Sequence, residues 1–141
     1  PIKKDGELVT SIQFGEYGEQ VLKNMRRSIS LFQSSGTNVI IDDLLFKRAY
    51  LDDYVAVLDP ARTWFVGVKC SLEIVKAREA KRPGRFPGTA TSHYEQVHEH
   101  GESYDLEVDT SAASARQVAM QIIERLSEPP RAFSKIREAQ S

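Results

Sequence analysis

The stretch "TWFVGVKCSLEIVKAREAKRPG", residues 63–84, changes character in its middle. Residues 63–69 make an apolar, β-branched and aromatic run without polar alternation, which suits a strand buried on both faces, as in a parallel sheet. Ser71 can then cap a helix over 71–82 that Pro83 stops. A strand passing straight into a helix is half of a βαβ unit. The same alternation extends to both sides.

Upstream, Phe14, Tyr17, Val21, Met25, Ile29 and Phe32 recur every three or four positions and predict a helix closed by "SSG" at 34–36. "NVII" at 38–41, running into Asp42 and Asp43, predicts a further buried strand over 38–42. Tyr50, Tyr54, Val57 and Leu58 share one face of a helix over 48–58, closed by Pro60. Downstream come a loop with two prolines and two glycines, a short helix over 92–97 and an alternating strand "YDLEVDT" over 104–110. A last helix over 111–126 points Val118, Ile122 and Leu126 inward. The opening dozen residues read as turn-rich, and after Pro129 and Pro130 the chain is polar and expected to fray. This order predicts the α/β class, a three-layer parallel sheet flanked by helices. Residues 1–128 form one unit, with a lid at about 78–92, and residues 129–141 a tail.

Composition narrows the function. The 141 residues suit one domain with a real core. A net charge of −1 gives no general attraction to nucleic acid or anionic lipid, so an anion site must be local. No run approaches the roughly 18 apolar residues of a membrane span. A single cysteine, Cys70, forms no internal disulfide and reads as a buried small residue. Without a signal peptide the expected compartment is the cytoplasm. A chain opening on Pro1 reads as a processed product or a fragment.

Four stretches could carry chemistry. Asp42 and Asp43 end the 38–42 strand, where an acid at the carboxyl edge of an α/β sheet can orient Mg²⁺ through its waters. They suit a helix N-cap equally. Lys76, Arg78, Lys81, Arg82 and Arg85 place five cations in ten residues. Arg78 and Arg82 share a helix face, and Arg85 lies in the glycine-bearing loop beyond. Such guanidinium groups suit a transferring phosphoryl group, or a solvated basic helix end. "YDLEVDTSAAS", 104–114, suits a loop passing a flat base or a phosphate, or an ordinary capped helix. His93, His98 and His100 lack metal-ligand spacing and read as surface or capping residues.

Taken together, "NVIIDD", "WFVGVKCSLEIVKAREAKRPGR" and "VHEHGESYDLEVDTS" resemble the chloramphenicol phosphotransferase-like family of P-loop kinases, over roughly 14–126. The resemblance implies ATP-dependent transfer of the γ-phosphoryl group to a hydroxyl of a small molecule, with ATP and Mg²⁺ as cofactors. It implies Asp42, with Asp43 beside it, on the magnesium side. Arg82 and Arg85 become lid arginines, with Arg78 at the lid's base. Asp109, Thr110, Ser111 and Ser114 become the loop near the adenine. The segment before Phe14 falls in the acceptor region.

The family's G-x-x-x-x-G-K-[ST] phosphate loop and the aspartate that acts as base occur nowhere in these residues. The chain alone is therefore expected to be inactive, and to be the C-terminal part of a larger domain whose first strand would lie between 38–42 and 63–69. Self-association or a missing N-terminal segment would cover the apolar strands left open. The competing expectations are a non-catalytic nucleotide- or partner-binding remnant of the fold and a zeta-toxin-like nucleotide-sugar kinase.

Overall fold

The structure, a computed structural model, describes residues 2–4, 6–84 and 86–141, and for residues 2–4, 7, 8 and 95 the backbone alone. Strands β1 (Ile2–Lys4) and β2 (Glu7–Val9) pair antiparallel as a hairpin turned at Gly6, whose φ of 82° needs a residue without Cβ. Two helices follow, α1 (Glu16–Ser34) and α2 (Arg48–Val57), then a 3₁₀ turn (Pro60–Arg62). β3 (Val66–Lys69), α3 (Leu72–Ala80), α4 (Thr89–Gln96), β4 (Leu106–Asp109) and α5 (Ala115–Arg125) make the βα part, and α6 (Ala132–Gln140) closes the chain.

β3 and β4 run parallel in the register Val66↔Leu106 to Lys69↔Asp109, connected through α3 and α4. The α/β class thus holds, with a parallel sheet of two strands among the described residues. The run at 38–42 is not a strand. Residues 37–46 are irregular, with Ile40 97% exposed and Val39 and Ile41 also open to solvent. An apolar β-branched run has strand propensity, but without a hydrogen-bonding neighbour that propensity yields no ladder. The helix expected from the spacing at 14–32 forms as α1, but its apolar stripe is largely open to solvent. Tyr17, Val21, Met25 and Phe32 are exposed, and Ile29 alone of the six packs against the core.

The core lies elsewhere. Leu51, Tyr54, Val55 and Leu58 of α2 and its C-terminus meet Phe133 and Ile136, with Ile29, Leu45, Val57 and Phe65 around them. Residues 129–141 are accordingly no frayed tail. Phe133 and Ile136, three apart, put one apolar face of α6 onto α2. Arg137 of α6 then donates from Nε to the Val55 carbonyl and from its terminal nitrogen to that of Leu58, each at 2.7 Å. Those carbonyls belong to the last turn of α2, which lacks a basic residue of its own.

Asp105, just before β4, joins three elements. Its Oδ2 accepts from the Phe65 amide at 2.9 Å, and its Oδ1 from the amides of Arg131 at 2.7 Å and Ala132 at 3.1 Å. Arg125 of α5 donates to its carbonyl at 3.0 Å. Asp105 thereby sets, through its buried carboxylate, where β3 and α6 begin and, through its carbonyl, how α5 lies on the sheet.

Candidate functional site

The carboxyl ends of β3 and β4 meet in a tight knot. The Thr110 amide and hydroxyl both donate to the Lys69 carbonyl, at 2.8 and 3.1 Å, and the Ser71 amide donates to Ser111 Oγ at 2.8 Å. Ser111 donates its own amide to Asp109 Oδ1 at 2.7 Å, and the bonds from Ser111 hold the Asp109 carboxyl below its usual range. Arg78 reaches across from α3. It donates to the Thr110 carbonyl at 2.7 Å and Thr110 Oγ1 at 3.2 Å, and lies 3.5 Å from Cys70 Sγ.

So Arg78, Asp109, Thr110 and Ser111 are brought together, with the exposed arginine fastened to the loop. Ser114 is spent on a capping box: its Oγ accepts from the Gln117 amide at 3.3 Å, and the Gln117 side chain takes the Ser114 amide at 2.8 Å.

Arg82 stands apart. It is exposed in the loop after α3, and its side chain makes no hydrogen bond or ion pair among the described residues. Arg85 lies outside the described residues. The helix after this loop starts at Thr89, three residues earlier than the sequence suggests, because Glu79 receives its first amides: Gly88 at 3.0 Å and Ala90 at 2.7 Å.

The paired acids differ from one another. Asp43 accepts from its neighbour's amide, Leu44, and from the Tyr54 hydroxyl, both at 2.8 Å. Asp42 is exposed with no such partner among the described residues. Hard carboxylate oxygen suits Mg²⁺, which takes one or two carboxylates and keeps several waters. Among the described residues no three His, Cys, Asp or Glu side chains converge on a metal position. Asp42 thus stands as a single exposed carboxylate and not as a member of a closed cage among the described residues.

A cavity of about 520 Å³ opens between the segment 11–14, the start of α1, the start of α2 and α4. Phe14, Phe46, Lys47 and His93 are among its walls, and the Phe46 and His93 rings meet 4.5 Å apart at a tilt of 51°. Glu19 is bonded to Lys47 and, at 2.8 Å, to the Tyr50 hydroxyl. The Lys47 bond draws the Glu19 carboxyl below its ordinary pKa and lifts the ammonium above its own, while burial raises Tyr50.

Behind this group Arg26 is buried, paired to Asp53 at 2.9 Å and lying 4.1 Å over the Tyr50 ring. Sequence reading misses the Glu19–Lys47 pair, since its members are 28 positions apart and meet only through the packing of α1 on α2.

The histidines are corrected too. His100 is buried, and His98 Nδ1 and His100 Nε2 lie 2.6 and 2.7 Å from the single hydroxyl of Tyr104. Cys70 is half-buried.

Residues 3–127 match the family described as "Chloramphenicol phosphotransferase-like protein", and the chain belongs to that family. Two Mycobacterium tuberculosis proteins, from strains CDC 1551 / Oshkosh and H37Rv, carry the name "Putative O-phosphotransferase". Each is 30% identical to this chain over 139 residues, 97% of its length. The chain spans 61% of the length of these curated relatives. Among the described residues no helix is long and apolar enough to cross a membrane.

Proposed function

We propose that this chain is part of an ATP-dependent phosphotransferase that moves the γ-phosphoryl group to a hydroxyl of a small molecule. The observation that carries the reading is the Arg78–Thr110 fastening. In a chain of this family it joins the base of an arginine-bearing loop to the carboxyl ends of parallel strands, where open α/β folds bind ligands.

In this reading Asp109, Thr110 and Ser111 form the floor beside the base, and Ser114 sets the first turn of the helix behind it. Arg78 positions the loop. Arg82, joined by Arg85, neutralises charge on the phosphoryl oxygens. Asp42 orients the magnesium waters while Asp43 fixes the backbone beside it. When bound, Mg²⁺ supplies further neutralisation of the phosphate tail. The cavity beside residues 11–14 receives the acceptor. The phosphate cradle and the base on the acceptor hydroxyl come from outside these residues.

The test is transfer of labelled γ-phosphate, with Mg²⁺, by the full-length protein over a panel of hydroxyl-bearing small molecules. Arg82→Ala lowers kcat more than it raises the KM for ATP. Unchanged turnover in that variant removes the loop arginine from the reaction. The 141-residue chain alone binds ATP no tighter than about millimolar, roughly −4 kcal/mol. A micromolar titration overturns this.

A further inference from the structure

Thr10 is a polar residue only 8% exposed, between the β1–β2 hairpin and the cavity wall at 11–14. Three of its groups are engaged by the end of the arginine loop and by the helix α4 that follows it. Its amide donates to the Gly88 carbonyl at 3.1 Å and its hydroxyl to the Pro87 carbonyl at 2.7 Å. Its own carbonyl accepts from Ser92 Oγ at 2.7 Å. Pro87 and Gly88 end the loop that carries Arg82, and Ser92 lies on α4, on the cavity's other wall. From the opposite side Glu79 holds Gly88 and Ala90.

The far end of the arginine loop is thus gripped twice, once by the helix that precedes it and once by a residue some 77 positions away in the chain. A loop needs only its own flanking helices to close. The second grip ties it to the cavity.

We infer that Thr10 is a positioning residue, which registers the arginine loop against the cavity so that one side chain sets the distance between Arg82 and whatever occupies that cavity. The inference rests on the phosphotransferase reading for what the loop does, but not for the linkage itself. Chemically, the hydroxyl at this place matters for donation. Valine has nearly the same shape and keeps the Thr10 amide bond, yet leaves the Pro87 carbonyl without its donor, whereas serine restores it.

The experiment compares the full-length protein with Thr10→Val and Thr10→Ser, reading amide hydrogen exchange across 81–88 and turnover with ATP and Mg²⁺. One lost hydrogen bond of ordinary strength corresponds to about five-fold faster exchange in that segment for Thr10→Val. The expected pattern is that rate increase without a comparable change elsewhere, kcat reduced with the KM for ATP little moved, and both restored by Thr10→Ser. A merely structural role would lower the melting temperature and raise exchange throughout, with kcat per folded molecule unchanged. That result overturns the proposal, as does wild-type exchange in Thr10→Val. If the wild-type protein transfers phosphate to nothing, the phosphotransferase reading falls. The exchange pattern still decides the linkage, because it requires no substrate.

Discussion

The Tyr54 hydroxyl donates to Asp43 Oδ2 at 2.8 Å, anchoring the irregular segment after Ile41 to the buried face of α2. Burial and the bond to Asp43 raise the phenol well above its usual range, so the contact holds across all ordinary pH. Asp43→Ala orphans a buried hydroxyl and should cost about 1–3 kcal/mol in a denaturant melt. Asp42→Asn, at an exposed position, should stay within about 0.5 kcal/mol of wild type while reducing magnesium-dependent turnover. Equal loss of stability in both variants would mean that the two acids are not divided as described.

Asp105 offers a larger effect. Its side chain is only 2% exposed, with Arg125 3.6 Å from its Oδ1, and its acceptors fix β3 and α6. Removing it as Asp105→Ala leaves three amide donors without an acceptor and takes the carboxylate away from Arg125, which keeps its bonds to the carbonyls of residues 105, 128 and 129. The expected loss is about 3–5 kcal/mol. A smaller loss, read by chemical denaturation, would show that water replaces the carboxylate easily.

Gly67 of β3 lies against the Tyr104 ring so closely that an added Cβ would sit 2.7 Å from two ring carbons. Gly67→Ala should therefore destabilise by about 1–3 kcal/mol. The penalty should shrink in a Tyr104→Leu background, and a double-mutant cycle measures the difference. Additive losses would mean that the strand shifts instead of the ring.

Tyr104 also completes a directed chain of hydrogen bonds. The Glu102 amide donates to His100 Nδ1 at 3.1 Å, so His100 carries its proton on Nε2 and gives it to Tyr104. Tyr104 donates in turn to His98 Nδ1. Every member is neutral in this arrangement. Burial holds both imidazoles below 6.5, reinforced for His98 by Lys69 and for His100 by His98, Arg48 and Lys69, while Glu107 and Glu102 oppose.

Folded-state values below the unfolded ones mean that the native chain binds fewer protons. The stability contributed is complete above about pH 6.5 and is lost as pH falls below it. Melting temperature followed from pH 8 to 5, as about the range in which histidine titrates, should decline on the acid side, with a shallower slope in His100→Gln. A flat profile would sink the chain of neutral partners.

How much of this could be read from the residues alone depends on where each signal sits. α2, β3, α3, β4 and α5 lie near their predicted positions because Ser71, Pro60 and Pro83 are local punctuation and need no tertiary information. The run at 38–42 misleads for the opposite reason. Hydrophobicity states a preference for burial, and only a neighbour's hydrogen bonds make a strand of it.

α6 was legible in the spacing of Phe133 and Ile136 after Pro130, but the surrounding charges hide it. At the site, the arginine-bearing helix and the loop 109–111 could be named from composition. That Arg78 is tied down while Arg82 is open could not, since the tie to Thr110 spans 32 positions. Asp105 escaped for the same reason, its partners being 20 to 40 residues distant.

α6 has a consequence for biosynthesis. Leu51 and Val55 wait for Phe133 and Ile136, so a growing polypeptide must clear the ribosome beyond residue 136 before α2 can hide its greasiest side chains. Until then α2 is an exposed chaperone substrate, and a translation pause or premature stop before residue 136 should send the product to proteolysis rather than leave it half-built.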